Sequence, residues 1–161
     1  DVTVVFTRAA NVYGTHQQLY RIVPKSIICD IKKKKIELHG GGKSIRSFIY
    51  ITDVAEATYK IALKSLPGNI YHISSNNLIS IKNLVKKIFN LNNLNCKKFV
   101  NIVAERPGKD KYYTLNSNKL KKEHKWKPRV SLNEGLLKTQ KWISENQRKI
   151  NKLPLFYEHK R

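Results

Sequence analysis

A chain of 161 residues is long enough to bury a core and defaults to one domain. Its formal charge of +21 rests on 25 Lys against 7 Arg, accompanied by 15 Asn and 17 Ile. That joint surplus is the trace of AT-rich coding spread over a solvated surface. No aromatic-and-basic interleaving builds a base-stacking platform, so a basic nucleic-acid-binding module is the lesser alternative and no nucleic-acid partner is expected. The absence of a long apolar run or signal peptide points to a cytoplasmic protein with no membrane partner. Cys29 and Cys96 lack metal-ligand or redox spacing and suit a reducing compartment. With no Met and an opening in mid-strand, the chain reads as part of a longer protein.

The apolar, β-branched run from Val2 to Thr7 predicts a buried parallel strand. It leads into Arg8-Ala-Ala-Asn11-Val-Tyr13-Gly14, with Gln17, Gln18, Tyr20 and Arg21 close behind. Apolar residues at Leu19, Ile22, Val23, Ile27, Ile28 and Ile31 then predict a helix ending at the run Lys32–Lys35, where positive charge complements the helix dipole. A polar, Gly-bearing turn between a strand and a helix is where open α/β sheets bind ligands. A plain connecting loop needs no such crowding of polar side chains.

Ile36–His39 predicts a short strand, and Gly40-Gly-Gly42 a close approach of backbone. Ser44–Ile51 alternates as a strand with one buried face, and places Arg46 beside an apolar run where an anion is a better partner than water. Asp53 predicts an N-cap, with Val54, Ala57, Ile61 and Ala62 on the inner face of the helix that follows. Pro67-Gly68 turns the chain into a strand at Asn69–Ser74, whose His72 reads as a packed or surface residue. Ser80 caps a helix with the apolar stripe Ile81, Leu84, Val85, Ile88 and Phe89. Asn90–Asn95 is a loop and Phe99–Val103 a short strand. Glu105-Arg106-Pro107-Gly108-Lys109-Asp110 is a second arginine-bearing turn. After an extended Tyr112–Leu115 and a short basic helix from Ser117, the box Ser131-x-x-Glu134 opens a last helix bearing Leu132, Leu136, Leu137, Gln140, Trp142 and Ile143.

Guanidinium groups in separate Gly-bearing turns suit a diphosphate, since each donates a fork of hydrogen bonds. The order of motifs adds to this: Arg8-x-x-Asn11-Val-Tyr13-Gly14, Gly40-Gly-Gly-x-x-x-Arg46-x-Phe48-Ile-Tyr50-Ile-x-Asp53, Glu105-Arg106-Pro107-Gly108-Lys109-Asp110 and Trp126-Lys-Pro128 with Glu134-Gly135. Together they resemble the carboxyl-terminal half of extended short-chain dehydrogenase/reductases, the NAD-dependent epimerase/dehydratase family, with dTDP-glucose 4,6-dehydratases as the nearest members.

The resemblance implies an α/β fold: the carboxyl-terminal part of a Rossmann-type NAD-binding fold interleaved with a small mixed α/β substrate-binding domain over residues 1–161, the amino-terminal NAD-binding half being absent. It implies NAD as cofactor and a nucleoside-diphosphate sugar as substrate. The positions matching Ala10, Asn11 and Val12 lie beside the nicotinamide, and Asn11 also touches substrate. Arg21 and Ile22 lie near the nucleotide, while Glu37, Leu38 and His39 line the base pocket. Arg46 and Arg106 hold the diphosphate and ribose, and Lys109 stands where dehydratases often carry His. The implied reaction oxidises the sugar at C4, eliminates water across C5 and C6 and returns the hydride, for surface-polysaccharide sugars; an epimerase, or a sugar-nucleotide-binding remnant without catalysis, is the alternative. No Tyr-x-x-x-Lys pair or dinucleotide glycine fingerprint is present, so no catalytic residue and no metal site is assigned, and the chain alone is expected to be inactive. Family members pair through helices largely of the other half, which leaves a homodimer as an open expectation.

Overall fold

The structure, a computed structural model, describes residues 4–157. The first strand ladder runs through two short strands, β1 (Phe6–Ala9) and β2 (Asn11–Tyr13), with Ala10 between them. β1 pairs in parallel with β5 (Ile70–Ile73), whereas β2 pairs in parallel with β4 (Ile45–Tyr50), Asn11 opposite Phe48. The chain therefore changes sheets at Ala10, whose N–H still donates to the Ile73 carbonyl at 2.9 Å. β4 is also flanked by β6 (Leu78–Ser80), antiparallel, and β8 (Tyr112–Tyr113), parallel. A third parallel pair joins β3 (Ile36–His39) to β7 (Val100–Val103), with His39 opposite Val103.

Helices cover these strands from both sides. α1 (Ile22–Ile31), α3 (Ile81–Asn90) and α5 (Leu132–Glu145) enclose Tyr13, Phe48 and Tyr50 together with Val23, Ile27, Leu84 and Leu136. On the other side α2 (Ile51–Lys64) and α4 (Asn118–His124) bury Ile49, Ala57, Ile61, Tyr71, Leu120 and Trp126. Successive residues of a strand point to opposite faces, so Phe48 and Ile49 serve different cores. The expectation of one buried face for this strand is thereby corrected: Ser47, Phe48, Ile49 and Tyr50 are all buried. Ser47 survives burial through hydroxyl contacts, donating to the Ser75 carbonyl at 2.8 Å and lying 3.0 Å from Ser74 Oγ.

Several boundaries differ from the sequence expectation for local reasons. β1 is parallel as expected but exposed, with Phe6 56 % accessible, because among the described residues β5 is its only neighbour; residues 1–3 of the anticipated strand lie outside the described range. Ser80 and Ser131 cap as read, accepting from the N–H groups of Asn83 and Glu134 at 3.2 Å each, but the Glu134 carboxylate turns to Lys138 at 2.7 Å, leaving half a box. Ser117 donates to the Ser74 carbonyl rather than capping. Ala62, expected inside, is exposed. A final turn, α6 (Gln147–Ile150), buries Ile150.

Asp53 is the clearest correction. α2 starts at Ile51 with Tyr50 in the capping position, and Asp53 sits inside its first turn. Its buried carboxylate accepts the N–H groups of Arg129 at 3.0 Å and Val130 at 3.1 Å, tying the approach to α5 onto α2. Replacing it strands two donors, so Asp53→Ala should cost about 3 kcal/mol in urea unfolding; a loss under about 0.5 kcal/mol would show that water replaces the carboxylate.

Candidate functional site

A cavity of about 1180 Å³ opens beside the crossing from β1 to β2. Its first wall is the turn itself. Ala10, Asn11, Val12 and Tyr13 line it, followed by Gly14, Gln17, Tyr20, Arg21 and Ile22 as the chain enters α1. The Asn11 side chain is fixed because Nδ2 donates to the Ser47 carbonyl at 3.1 Å, across the ladder that pairs β2 with β4. Gln17 folds back, donating from Nε2 to the Val12 carbonyl at 2.7 Å, and its Oε1 is buried with no partner among the described residues. Gly14 carries φ of +152°, and a Cβ there would fall 2.5 Å from Ile51 Cγ2, so the turn must be glycine to pass α2.

Tyr13 lines the same cavity yet is spent on structure. Its hydroxyl donates to the Leu132 carbonyl at 3.3 Å and occupies space that any Cβ on Gly135 would invade. Burial pushes its phenol well above the ordinary range, which removes it as an acid or base at neutral pH.

The opposite wall is the carboxyl end of β3 and the turn that follows β7. Glu37, Leu38 and His39 come from β3; Arg106 and Lys109 come from the turn. Lys109 Nζ lies 3.1 Å from Glu105 Oε1, the same oxygen that accepts the Arg106 main-chain N–H at 3.1 Å. The Lys109 ammonium, foremost, holds the Glu105 carboxyl below its usual range. The cavity thus gathers a guanidinium from each wall, Arg21 and Arg106, with the Asn11 carboxamide between apolar neighbours. That is the chemistry of an anion with a polar, uncharged extension.

Arg46 is the site residue that the fold does not bring to the wall. Its Nη1 donates to the Ile45 carbonyl at 2.8 Å and its Nη2 to the Asp110 carbonyl at 2.5 Å. The reason is the pairing of β8 beside β4, which carries Asp110 to the Arg46 side chain. Arg46 therefore braces the turn that bears Arg106. Sequence reading also missed the aromatic rim. Tyr20 packs edge-on against Tyr157, with ring centroids 5.4 Å apart, and the Arg21 guanidinium lies 5.4 Å from the Tyr20 centroid. Tyr20 stood within the crowded turn and was legible; Tyr157 sits in a tail with no periodicity to announce it.

Residues 1–74 match the model of the NAD dependent epimerase/dehydratase family. The human dTDP-D-glucose 4,6-dehydratase is 36% identical over 148 residues, covering 89% of this chain and 42% of the human protein. These matches support an extended short-chain dehydrogenase/reductase that resembles dTDP-glucose 4,6-dehydratase of the NAD-dependent epimerase/dehydratase family. A crystal structure of the Bacillus anthracis dTDP-glucose 4,6-dehydratase in complex with NAD superposes with a TM-score of 0.84 at 29% identity, covering 89% of this chain and 45% of that one. The Streptomyces venezuelae dTDP-glucose 4,6-dehydratase, with NAD bound, gives 0.88 at 26% identity over 92% and 46% of the two chains. The fold is that of Rossmann-type dehydratases of this family. The chain spans less than half the length of these relatives.

Gly40 ties the second wall together. It holds φ of +57°, and a Cβ there would meet Glu105 Oε2 at 2.1 Å. Gly40→Ala should cost about 1 kcal/mol in left-handed backbone strain and push Glu105 aside. Hydrogen exchange of residues 104–109 should then quicken; unchanged exchange across that turn would contradict the interlock.

Proposed function

We propose that this chain forms the carboxyl-terminal, nucleotide-sugar-binding part of a cytoplasmic NAD-dependent nucleotide-sugar 4,6-dehydratase of the dTDP-glucose type, serving surface-polysaccharide sugar synthesis. The observation that carries the reading is the convergence on one cavity of Asn11, Arg21, Glu37–His39, Arg106 and Lys109, drawn from three stretches distant in sequence. In this reading Arg106 and Arg21 take the diphosphate, Lys109 adds charge at its edge, Ile22, Glu37 and Leu38 accept the base, and His39 stands beside them at the end of β3. Asn11 faces the sugar, its orientation set by Ser47. Arg46 acts on the diphosphate only through the turn it braces.

NAD fits the first wall. Ala10 and Val12 are small, and the unpartnered Gln17 Oε1 would accept an N–H from a neighbouring carboxamide. When bound, NAD accepts hydride from the sugar and returns it. Asn11, Ala10 and Val12 would hold its nicotinamide end against the sugar. The open edge of β1, with Phe6 exposed, supports a second half-fold packed there to hold the rest of the cofactor. Without that half the chain's own residues bind and orient: no Tyr-x-x-x-Lys pair is present to move protons. Holding the sugar nucleotide in a reactive position is itself a large part of catalysis.

Titrating dTDP-glucose into the chain should reveal binding without NAD-dependent turnover. Arg106→Ala should weaken it about tenfold or more while leaving the melting temperature within about 2 °C, since the side chain is exposed. Turnover by the chain alone, or unchanged affinity in Arg106→Ala, would contradict the assignment.

A further inference from the structure

His39 and Arg106 stand 67 positions apart, yet meet at the carboxyl end of the β3–β7 pair. We propose that His39 is a positioning residue for Arg106, its ring aiming the guanidinium that receives the diphosphate. The inference rests on the nucleotide-sugar reading above and adds to it a role that acts through another side chain.

The two nitrogens of the ring settle its state. His39 Nδ1 lies 3.0 Å from the Ala104 carbonyl, which only accepts, so Nδ1 carries the proton. His39 Nε2 lies 3.0 Å from Arg106 Nη2, which only donates, so Nε2 presents its lone pair. Both bonds hold at once in one neutral tautomer. The parallel register explains the fit: His39 faces Val103, so its ring reaches the carbonyl of the next residue along, just before the turn begins.

What the ring offers Arg106 is direction without neutralisation. The nearby carboxylate, Glu105, is engaged by Lys109 and by the Arg106 main-chain N–H, and Arg106 makes no ion pair among the described residues. A carboxylate partner would orient the guanidinium and also compete with an incoming phosphate. A neutral imidazole acceptor takes one N–H and leaves the charge and the remaining donors for the ligand. Preorganisation of this kind lowers the cost of ordering a long side chain on binding.

Two substitutions separate the nitrogens. In His39→Asn the carboxamide reaches only as far as Nδ1 and keeps the Ala104 contact; in His39→Gln it reaches the place of Nε2 and its oxygen can accept from Arg106. Calorimetric titration of the full chain with dTDP-glucose should show His39→Asn about tenfold weaker and His39→Gln within about threefold of the unaltered chain. In an Arg106→Ala background, His39→Asn should change nothing further. Unaltered affinity in His39→Asn, equal losses in the Asn and Gln variants, or the same loss with and without Arg106 would overturn the positioning role. If the unaltered chain binds neither dTDP-glucose nor UDP-glucose, the substrate reading falls first and this inference with it.

Discussion

The structure depends on one change of partner. At Ala10 the backbone leaves the ladder with β5 and joins the ladder with β4, while its own N–H stays on Ile73. The ladder with β5 ends at Ala9 and the ladder with β4 begins at Asn11. A cleft lies beside this crossing, where side chains can point at a ligand instead of at a neighbouring sheet. Asn11, Val12 and Tyr13 line that cleft, and the helix α1 begins a few residues beyond. Ligands gather at such points in open α/β sheets because the carboxyl ends of the strands diverge there.

The second wall is built by a different device. β3 and β7 are a small parallel pair apart from the other sheets, and the turn after β7 is held by bonds from its flanks. Glu105 lies over Gly40, His39 reaches Ala104, and Arg46 reaches Asp110. His39 and Arg46 on two strands, and Gly40 just past the first of them, thus restrain the segment from Ala104 to Asp110. A binding loop restrained at several points presents its charges with less entropy to lose than a free one. The formal charge of the whole chain is a separate matter: the described lysines are mostly exposed, on helices and turns alike, with pairs at helical spacing such as Glu56 with Lys60.

Much of this was legible in the residues. The amphipathic stripe of α3 and the caps at Ser80 and Ser131 follow from local patterning, and the glycine turns announced close backbone approach at Gly40 and Gly42. The motif order pointed to the family. What local patterning could not supply was long-range partnership. Asp53 has the composition of a cap, yet the donors it serves lie 76 and 77 positions away. Ser47 looked like the polar face of a half-buried strand, but three other hydroxyls meet it or its neighbours in the core. Arg46 looked like an anion ligand, and the pairing of β8 brings it a backbone carbonyl as well. In each case a polar residue was claimed by backbone from elsewhere in the chain, and no periodicity records such a claim.

The most direct test is a crystal structure of this chain with dTDP-glucose bound. The cleft at the Ala10 crossing predicts the diphosphate between Arg21 and Arg106, with the sugar turned toward Asn11. Density for the ligand on the lysine-rich surface at residues 32–35, or anywhere that leaves both arginines untouched, would contradict it.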